Sequence, residues 1–256
     1  MRHQTFTTFT LLLFLAAGCG GQQARGAQPR PSSPPPAAAK PACTAGVFRR
    51  VGSSKVAYAA VVRSRAAVSY RPGGRVVARF GRLNRNGVPT IFAVRGVRVN
   101  RRCRPAMYLV QIPRRPNGVT AWVAARQVGV QPIHTRIVVD LSQKRITLYR
   151  SGRRVLSSTV AVGSRATPTP TGSFYVNQRL IPTDPKGPFG PGAVGISAYS
   201  NVLTGWTQGG PIAIHGTNEP WSIGKAVSNG CIRLPNRVVR KVFAQALSGT
   251  PVLIRR

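Results

Sequence analysis

Short apolar runs, each followed by a turn rich in glycine or proline, fill most of the chain from residue 43 onward. In the first half, the runs cover residues 56–62, 75–80, 90–99, 106–112 and 120–128. The turns between them are Pro72-Gly73-Gly74, Asn86-Gly87 and Pro116-Asn117-Gly118. Apolar runs of this length, separated by turns of this composition, are typical of β-strands. Because no helical period competes, residues 43–131 are predicted to form a small all-β barrel or sandwich.

The second half, residues 132–256, continues the β pattern and adds one helix. A hairpin is predicted around the turn LSQK, and the further strands are 154–162, 172–176, 192–200, 211–216 and 251–256. Apolar residues recur with helical spacing from Val238 to Leu247, with Asn236 as the expected N-cap and Gly249 as the stop. The predicted class is mainly β with one helix packed on a sheet. The two long loops, 177–191 and 217–230, are where function is expected.

The N-terminus has the pattern of a secretory signal over residues 1–18. Arg2 precedes a short apolar run that is too short to span a bilayer, and small residues follow it. Cys19 comes directly afterwards, which resembles a bacterial lipoprotein signal in which this cysteine is lipidated. The alternative is an ordinary cleaved signal with an incidental cysteine. Residues 19–42 are rich in Pro and Ala and are predicted to be a linker, so the mature protein is expected outside the cytoplasm, lipid-anchored or secreted to the cell wall.

The charge balance is strongly basic. The chain has 38 Lys and Arg residues against three acids, giving a net charge of +35. Such a surface attracts polyanions, among them nucleic acid, anionic lipid and acidic wall polymers. The expected compartment excludes nucleic acid and leaves anionic wall polymers as partners. A genome biased toward arginine, with no partner behind it, is the alternative explanation.

The remaining cysteines divide into a pair and a single residue. Cys43 and Cys103 are predicted to form a disulfide in an oxidising compartment, with two buried thiols as the alternative. Cys231 is left without a partner. No group of Cys and His has the spacing of metal ligands, so no metal site is predicted, and nothing in the sequence calls for a cofactor.

The stretch from residue 212 to 236 concentrates the reactive side chains. His215 ends an apolar strand, and Cys231 follows between a glycine and an isoleucine. Such a pair is the arrangement of a thiol nucleophile and its base, and the basic surroundings are expected to favour the thiolate. Gly216 and Gly230 remove side chains beside both groups, so that backbone N–H groups can face an oxyanion. The alternative is a small core cysteine and a hydrogen-bonded histidine at a strand end.

These residues resemble a known family. The pattern I-H-G-T-N-x-P-x-x-I-G-x-x-x-S-x-G-C-I-R, from Ile214 to Arg233, is similar to the signature of the L,D-transpeptidase (YkuD-like) catalytic domain. VDLSQKRITLY resembles the opening hairpin of the family, and TPTPTGSFYV resembles its Thr-Pro-Thr-Gly segment. The resemblance covers about residues 134–256. Asn229 stands where many members have histidine, which removes one possible donor near the thiol.

The resemblance implies a β-sandwich and a mechanism. Cys231 would attack an L,D-peptide bond of a peptidoglycan stem, with His215 as general base oriented by a backbone carbonyl such as that of Gly216. Release of D-Ala would leave an acyl-thioester, which an amine of a second stem resolves into a cross-link. Ser228 would help to orient the site. The candidate substrate-binding residues are Arg233, Asn229, Thr217, Tyr199 and Trp221; Arg233 could instead bind local carbonyls, and Tyr199 and Trp221 could fill the core.

The N-terminal module resembles the β modules that precede the catalytic domain in secreted wall enzymes, and bacterial SH3-like modules, through the segment around Trp122. That tryptophan is expected in the core rather than on a ligand. Three other functions remain open: an L,D-carboxypeptidase that uses water as acceptor, a lipid-anchored wall-binding protein without activity, and a different cysteine hydrolase. The last usually places the cysteine before the histidine, whereas here the histidine comes first.

Overall fold

The strands of the chain pair into two large sheets. The computed structural model describes residues 44–256, which belong to one compact unit. The predicted signal, Cys19, the linker and Cys43 lie outside the described residues. Cys103 is disulfide-bonded, and its pairing with Cys43 stays a prediction. Within residues 44–256, no helix is long and apolar enough to cross a membrane.

The first sheet has eight strands, and every pair in it is antiparallel. Its strands are β1 (Phe48–Arg50), β2 (Ala57–Val62), β3 (Arg65–Ser69), β4 (Val76–Gly81), β5 (Ile91–Val99), β6 (Pro105–Gln111), β7 (Thr120–Ala124) and β8 (Val128–Ile133). The order is β4-β3-β7-β6-β5-β2-β8, with β1 on β5. Its likeness to SH3 domains stays a prediction.

Several details of this sheet differ from the sequence prediction, which did not include β1, β3 or β8 as separate strands. The run 120–128, expected as one strand, is divided by a 3-10 turn at Ala125–Gln127, where the Gln127 side chain accepts a hydrogen bond from the Ala67 N–H at 3.3 Å. β3 was not predicted, because its sequence RAAVS has one long apolar residue and no clear alternation. Its pairing with β4 and β7 supplies the order that its sequence lacks.

The second sheet also has eight strands, in the order β11-β10-β9-β18-β13-β14-β15-β17. The strands of this half are β9 (Thr135–Asp140), β10 (Arg145–Arg150), β11 (Arg153–Thr159), β12 (Val162–Gly163), β13 (Gly172–Leu180), β14 (Ala193–Tyr199), β15 (Pro211–His215), β16 (Ala226–Ser228), β17 (Ile232–Arg233) and β18 (Pro251–Arg255). β12 and β16 form a separate parallel pair. Because β13 runs to Leu180, the first long loop begins later than predicted.

The one α-helix of the described residues, α1 (Asn236–Gln245), packs Val238, Val239 and Val242 into the core of the second sheet. The predicted N-cap is wrong by one position, since Pro235 occupies it and Asn236 is already helical. The Asn236 side chain does not cap the helix. Its Oδ1 accepts the Thr217 N–H at 2.8 Å, so it ties the helix to the loop after β15.

A small shared core joins the two halves. Ala59, Ile91, Ala93 and Ile133 of the first sheet enclose Tyr175 from β13, which is fully buried. The Tyr175 hydroxyl donates to the Ile91 carbonyl at 3.0 Å. The chain is therefore mainly β with sandwich-like sheets, and its two halves are held together by a buried aromatic residue whose polar end is satisfied.

We expect Tyr175→Phe to lower the free energy of unfolding by about 1–2 kcal/mol, because the buried Ile91 carbonyl loses its donor. Denaturant titration measures this change. Tyr70→Phe, which removes an exposed hydroxyl, is the matched control and should be close to neutral. Equal stabilities for the two variants would contradict the importance of the buried hydrogen bond.

Candidate active site

The parallel pairing of β15 with β17 brings His215 and Cys231 together. Its register matches Ile214 with Ile232 and His215 with Arg233. Continued by one residue, the same register places Cys231 opposite Ala213, with which the thiol makes a backbone hydrogen bond. Strand side chains alternate between faces, so Cys231, Arg233 and His215 lie on one face of the sheet. Strand spacing and rise put the Cα atoms of Cys231 and His215 about 8 Å apart, with both side chains on the same side.

The imidazole of His215 is fixed by its own backbone neighbour. Nδ1 lies 2.5 Å from the carbonyl oxygen of Gly216, and the side chain is 4% exposed. A carbonyl can only accept, so Nδ1 carries the hydrogen in the neutral ring and Nε2 keeps a free lone pair. Phe189, from the loop before β14, packs against the ring edge-to-face at 5.0 Å between centroids. The histidine is thus set up to accept a proton.

The two reactive groups are both neutral at neutral pH. The pKa of His215 is lowered to about 4, chiefly by burial. The hydrogen bond to the Gly216 carbonyl acts in the opposite direction, and the nearby positive charge of Arg233 lowers the pKa further. Burial also raises the pKa of the Cys231 thiol, and the opposing effects of the Ala213 hydrogen bond and Arg233 are smaller. The expectation that the basic surroundings favour the thiolate is therefore wrong for this state. Loss of solvent at the site outweighs distant, screened charge.

A tight turn presents Cys231, which is partly exposed. The Ser228 hydroxyl donates to the Cys231 carbonyl at 2.6 Å and accepts the Gly230 N–H at 3.2 Å. Gly230 has φ +105°, and a Cβ there would lie 3.0 Å from Cδ1 of Ile212. The turn thus requires glycine at this position. In this state the Gly230 N–H donates to the Ser228 hydroxyl, and the Gly216 N–H donates to the Gly192 carbonyl. Both N–H groups therefore have partners within the chain, whereas the sequence analysis expected them to be available to an oxyanion.

Two threonines that were not among the predicted site residues support this turn. Thr169 Oγ1 donates to the Gly230 carbonyl at 2.8 Å and accepts the Gly163 N–H at 2.8 Å. Thr167 Oγ1 donates to the Ser228 carbonyl at 3.0 Å. The Thr-Pro-Thr-Pro-Thr run could have indicated a structural role, since proline fixes the backbone between the hydroxyls. The Ser228 and Gly230 carbonyls that these hydroxyls bind, however, each lie 61 positions away in the chain.

Arg233, a candidate for binding substrate, has a partner within the chain. Its Nη1 forms an ion pair with Oε2 of Glu219, a residue to which the sequence assigned no role. Thr217, also predicted to bind substrate, holds this loop instead. Its hydroxyl accepts the Glu219 N–H at 2.9 Å, and its own N–H donates to Asn236.

Of the other predicted substrate residues, Tyr199 lies apart from the thiol, whereas Asn229 lies two residues from Cys231 in the chain. Tyr199 pairs with Pro211 at the far end of β14 and β15 from His215, and its hydroxyl donates to the Pro113 carbonyl at 2.8 Å. It therefore belongs to the contact between the two halves. Trp221 is 59% exposed beside the ammonium of Lys225, and Asn229 is exposed next to the nucleophile turn. Among residues 44–256, no three His, Cys, Asp or Glu side chains are grouped as a metal site.

Comparison with known proteins places this site in a family. The model of the L,D-transpeptidase catalytic domain (YkuD) matches residues 134–254. A relative from Bacillus subtilis, named as the L,D-transpeptidase YkuD, is 42% identical over 125 residues, which is 49% of this chain and 67% of that one. The chain belongs to the L,D-transpeptidase family.

Other L,D-transpeptidases match over similar stretches. The Escherichia coli protein YcfS is 32% identical over 146 residues, covering 46% of this chain and 43% of that one. A crystal structure of the Enterococcus faecium L,D-transpeptidase is 27% identical, with a TM-score of 0.36, and the match covers 47% of this chain and 49% of that one. The chain thus spans two thirds or less of the length of these L,D-transpeptidases.

The neutral state of the pair predicts a specific reactivity profile. Iodoacetamide reacts with the thiolate, and the pKa of Cys231 lies above the ordinary thiol value of about 8.5. The reaction rate of Cys231 should therefore still rise with pH above about 8.5. Mass spectrometry of the peptide that contains Cys231 measures the rate, with a free cysteine peptide as the control. A plateau between pH 5 and 8 would indicate a thiolate–imidazolium pair and contradict this assignment.

Thr169→Val should destabilise the protein by about 1–3 kcal/mol, because it leaves the buried Gly230 carbonyl and Gly163 N–H without their shared hydroxyl. Thr169→Ser keeps the hydroxyl and should recover most of the loss. Thr171→Val, at an exposed position of the same segment, is the matched control. Thermal or denaturant unfolding reports all three, and a Thr169→Val variant as stable as the control would remove the supporting role.

Proposed function

We propose that this protein is a peptidoglycan L,D-transpeptidase acting through a cysteine acyl-thioester. The observation that carries the proposal is the β15–β17 register, which puts the thiol and the imidazole on one face with Nε2 free to accept a proton. Family membership supplies the substrate class, a peptidoglycan stem peptide.

The first half-reaction follows from the neutral pair. As Sγ of Cys231 attacks the carbonyl carbon after the diamino residue, its proton passes to Nε2 of His215. The imidazolium is oriented through Nδ1–H by the Gly216 carbonyl, which stabilises the positive charge less than the carboxylate of other triads does. The imidazolium then gives this proton to the amine of the departing D-Ala, and the acyl group remains on sulfur. Because the imidazole has a low pKa, it returns the proton readily.

The second half-reaction decides between two products. An amine of a second stem gives a cross-link, whereas water gives L,D-carboxypeptidase activity. A wall-binding protein without activity is the alternative from another class. The intact His215, Cys231 and Gly230, together with a buried hydrogen-bond network that serves the nucleophile turn, favour an active enzyme.

The location in the cell is part of the proposal. The N-terminal signal and Cys19 favour an extracytoplasmic protein with a lipid anchor, and the net charge of +35 favours retention by anionic wall polymers. This combination would keep the enzyme close to its substrate and away from nucleic acid.

The central test is acylation by a carbapenem and by a tetrapeptide-stem fragment, followed by intact mass. The wild-type protein should gain the acyl mass and release D-Ala, whereas Cys231→Ala should gain nothing. Cys231→Ser should be nearly inactive, because His215 without a carboxylate partner activates a hydroxyl poorly.

His215→Gln should lose roughly two or more orders of magnitude in acylation rate, the usual contribution of a general base. His134→Gln, at an exposed histidine, is the matched control and should react like wild type. Substantial turnover in Cys231→Ala or His215→Gln would overturn the proposed function.

A further inference from the structure

Glu219 is the acid that the chain places at its reactive site. The sequence contains two other acids, Asp140 and Asp184. Asp140 lies in the first hairpin, 3.3 Å from the guanidinium of Arg255. Asp184 lies in the loop after β13 and accepts the Lys186 N–H. In a chain of net charge +35, a single carboxylate beside the nucleophile has a large effect on which ligands can approach.

The backbone of Glu219 is held on both sides. Its N–H donates to Thr217 Oγ1 at 2.9 Å, and its carbonyl accepts the Ser222 N–H at 3.0 Å and the Ser222 hydroxyl at 2.6 Å. Thr217 and Ser222 are both buried, so this loop is anchored in the protein. The backbone from which the carboxylate projects is thereby fixed before any ligand arrives.

The side chain is open, although it is paired. Glu219 is 42% exposed and Arg233 is 20% exposed, so the ion pair lies at the surface with the carboxylate outward. Arg233 is two residues beyond Cys231 on the same face, about 7 Å along the strand. Its charge acts on both Cys231 and His215, which agrees with this proximity.

A guanidinium beside a carboxylate complements one particular chemical group: an ammonium and a carboxylate on the same carbon. Arg233 can bind the carboxylate bidentately, and Glu219 can accept hydrogen bonds from the ammonium. The same pair has no comparable interaction with water. An amine acceptor arrives as a cation and is repelled by the rest of this basic chain, whereas water is not.

We propose that Glu219 and Arg233 form the acceptor subsite, which binds the free amino-acid end of a second stem's diamino side chain and directs the acyl-thioester toward amine rather than water. The inference rests on the proposed function and adds to it the two residues that bind the acceptor.

The transfer balances as follows. The bound ammonium loses one proton to solvent and becomes a nucleophilic amine. Its nitrogen attacks the thioester carbon, the new C–N bond forms, and the C–S bond breaks. Once the bond has formed, the nitrogen is acidic and gives its extra proton to Nε2 of His215, which passes it to the departing sulfur of Cys231. The products are an amide and a neutral thiol.

The test is the partition of a single acyl-enzyme between cross-link and hydrolysis. One tetrapeptide-stem donor is supplied with each of three tripeptide-stem acceptors: one whose diamino side chain ends in both groups, one with that carboxylate amidated, and one with an ammonium alone. In wild type, the ratio of cross-link to hydrolysis should be roughly three- to tenfold higher for the first acceptor, the effect of a partly exposed charge-assisted contact.

Glu219→Gln should lower the ratio for the first acceptor by a similar factor, and Glu219→Asp should restore part of it. Asp184→Asn removes the same charge from an exposed loop and should leave the ratio unchanged. The ratio does not depend on how fast the acyl-enzyme forms, so a loop that is merely loosened would slow acylation without moving it.

The outcomes separate the two proposals. A normal acyl-enzyme that partitions equally for all three acceptors, or identically in wild type and Glu219→Gln, overturns the subsite and leaves the transpeptidase assignment intact. A wild-type protein that forms no acyl-enzyme on Cys231 overturns both.

Discussion

The two-residue strand β17 is the contact on which the site depends. It pairs with β15 on one side, and on the other Arg233 exchanges two backbone hydrogen bonds with Ala161, at 2.9 and 3.0 Å. The Leu234 N–H then closes onto the His215 carbonyl at 2.8 Å. A strand this short has little stability of its own, so its position comes from neighbours on both edges. Cys231, His215 and the guanidinium of Arg233 all take their positions from this pairing.

The hydrogen bonds around the nucleophile turn form a second layer of support. Hydroxyls of Ser228, Thr167 and Thr169 satisfy the carbonyls and N–H groups of a backbone that has no regular partner. Short side chains bonded to backbone lose little conformational entropy, which suits a site that must not move when charge develops on it. The result is a thiol on a well-supported turn, and partial burial of the site raises the pKa of Cys231 and lowers that of His215.

The sequence predicted most of the longer strands and the helix, and it singled out His215 and Cys231, which the structure brings onto one face of the sheet, because each carries a local signal. Strands such as β5 alternate or run apolar between clear turns, and His215 and Cys231 lie in a distinctive pattern. β16 and β17 were not predicted, because strands of three and two residues are too short to show an alternating apolar pattern. The Glu219–Arg233 pair and the Thr169 bridge depend on side chains that meet only after folding. The expected thiolate failed for a different reason, because net charge is a property of the whole chain and burial is a property of one site.

Tyr175 joins the first sheet to the second sheet, which carries His215 and Cys231, through a buried ring and a hydrogen bond to the Ile91 carbonyl. Because of this shared core, the first sheet cannot rotate freely relative to the second. Any surface that the first sheet contacts therefore also sets the direction in which the Cys231 thiol faces. The first sheet thus fixes the orientation of the half that carries His215 and Cys231.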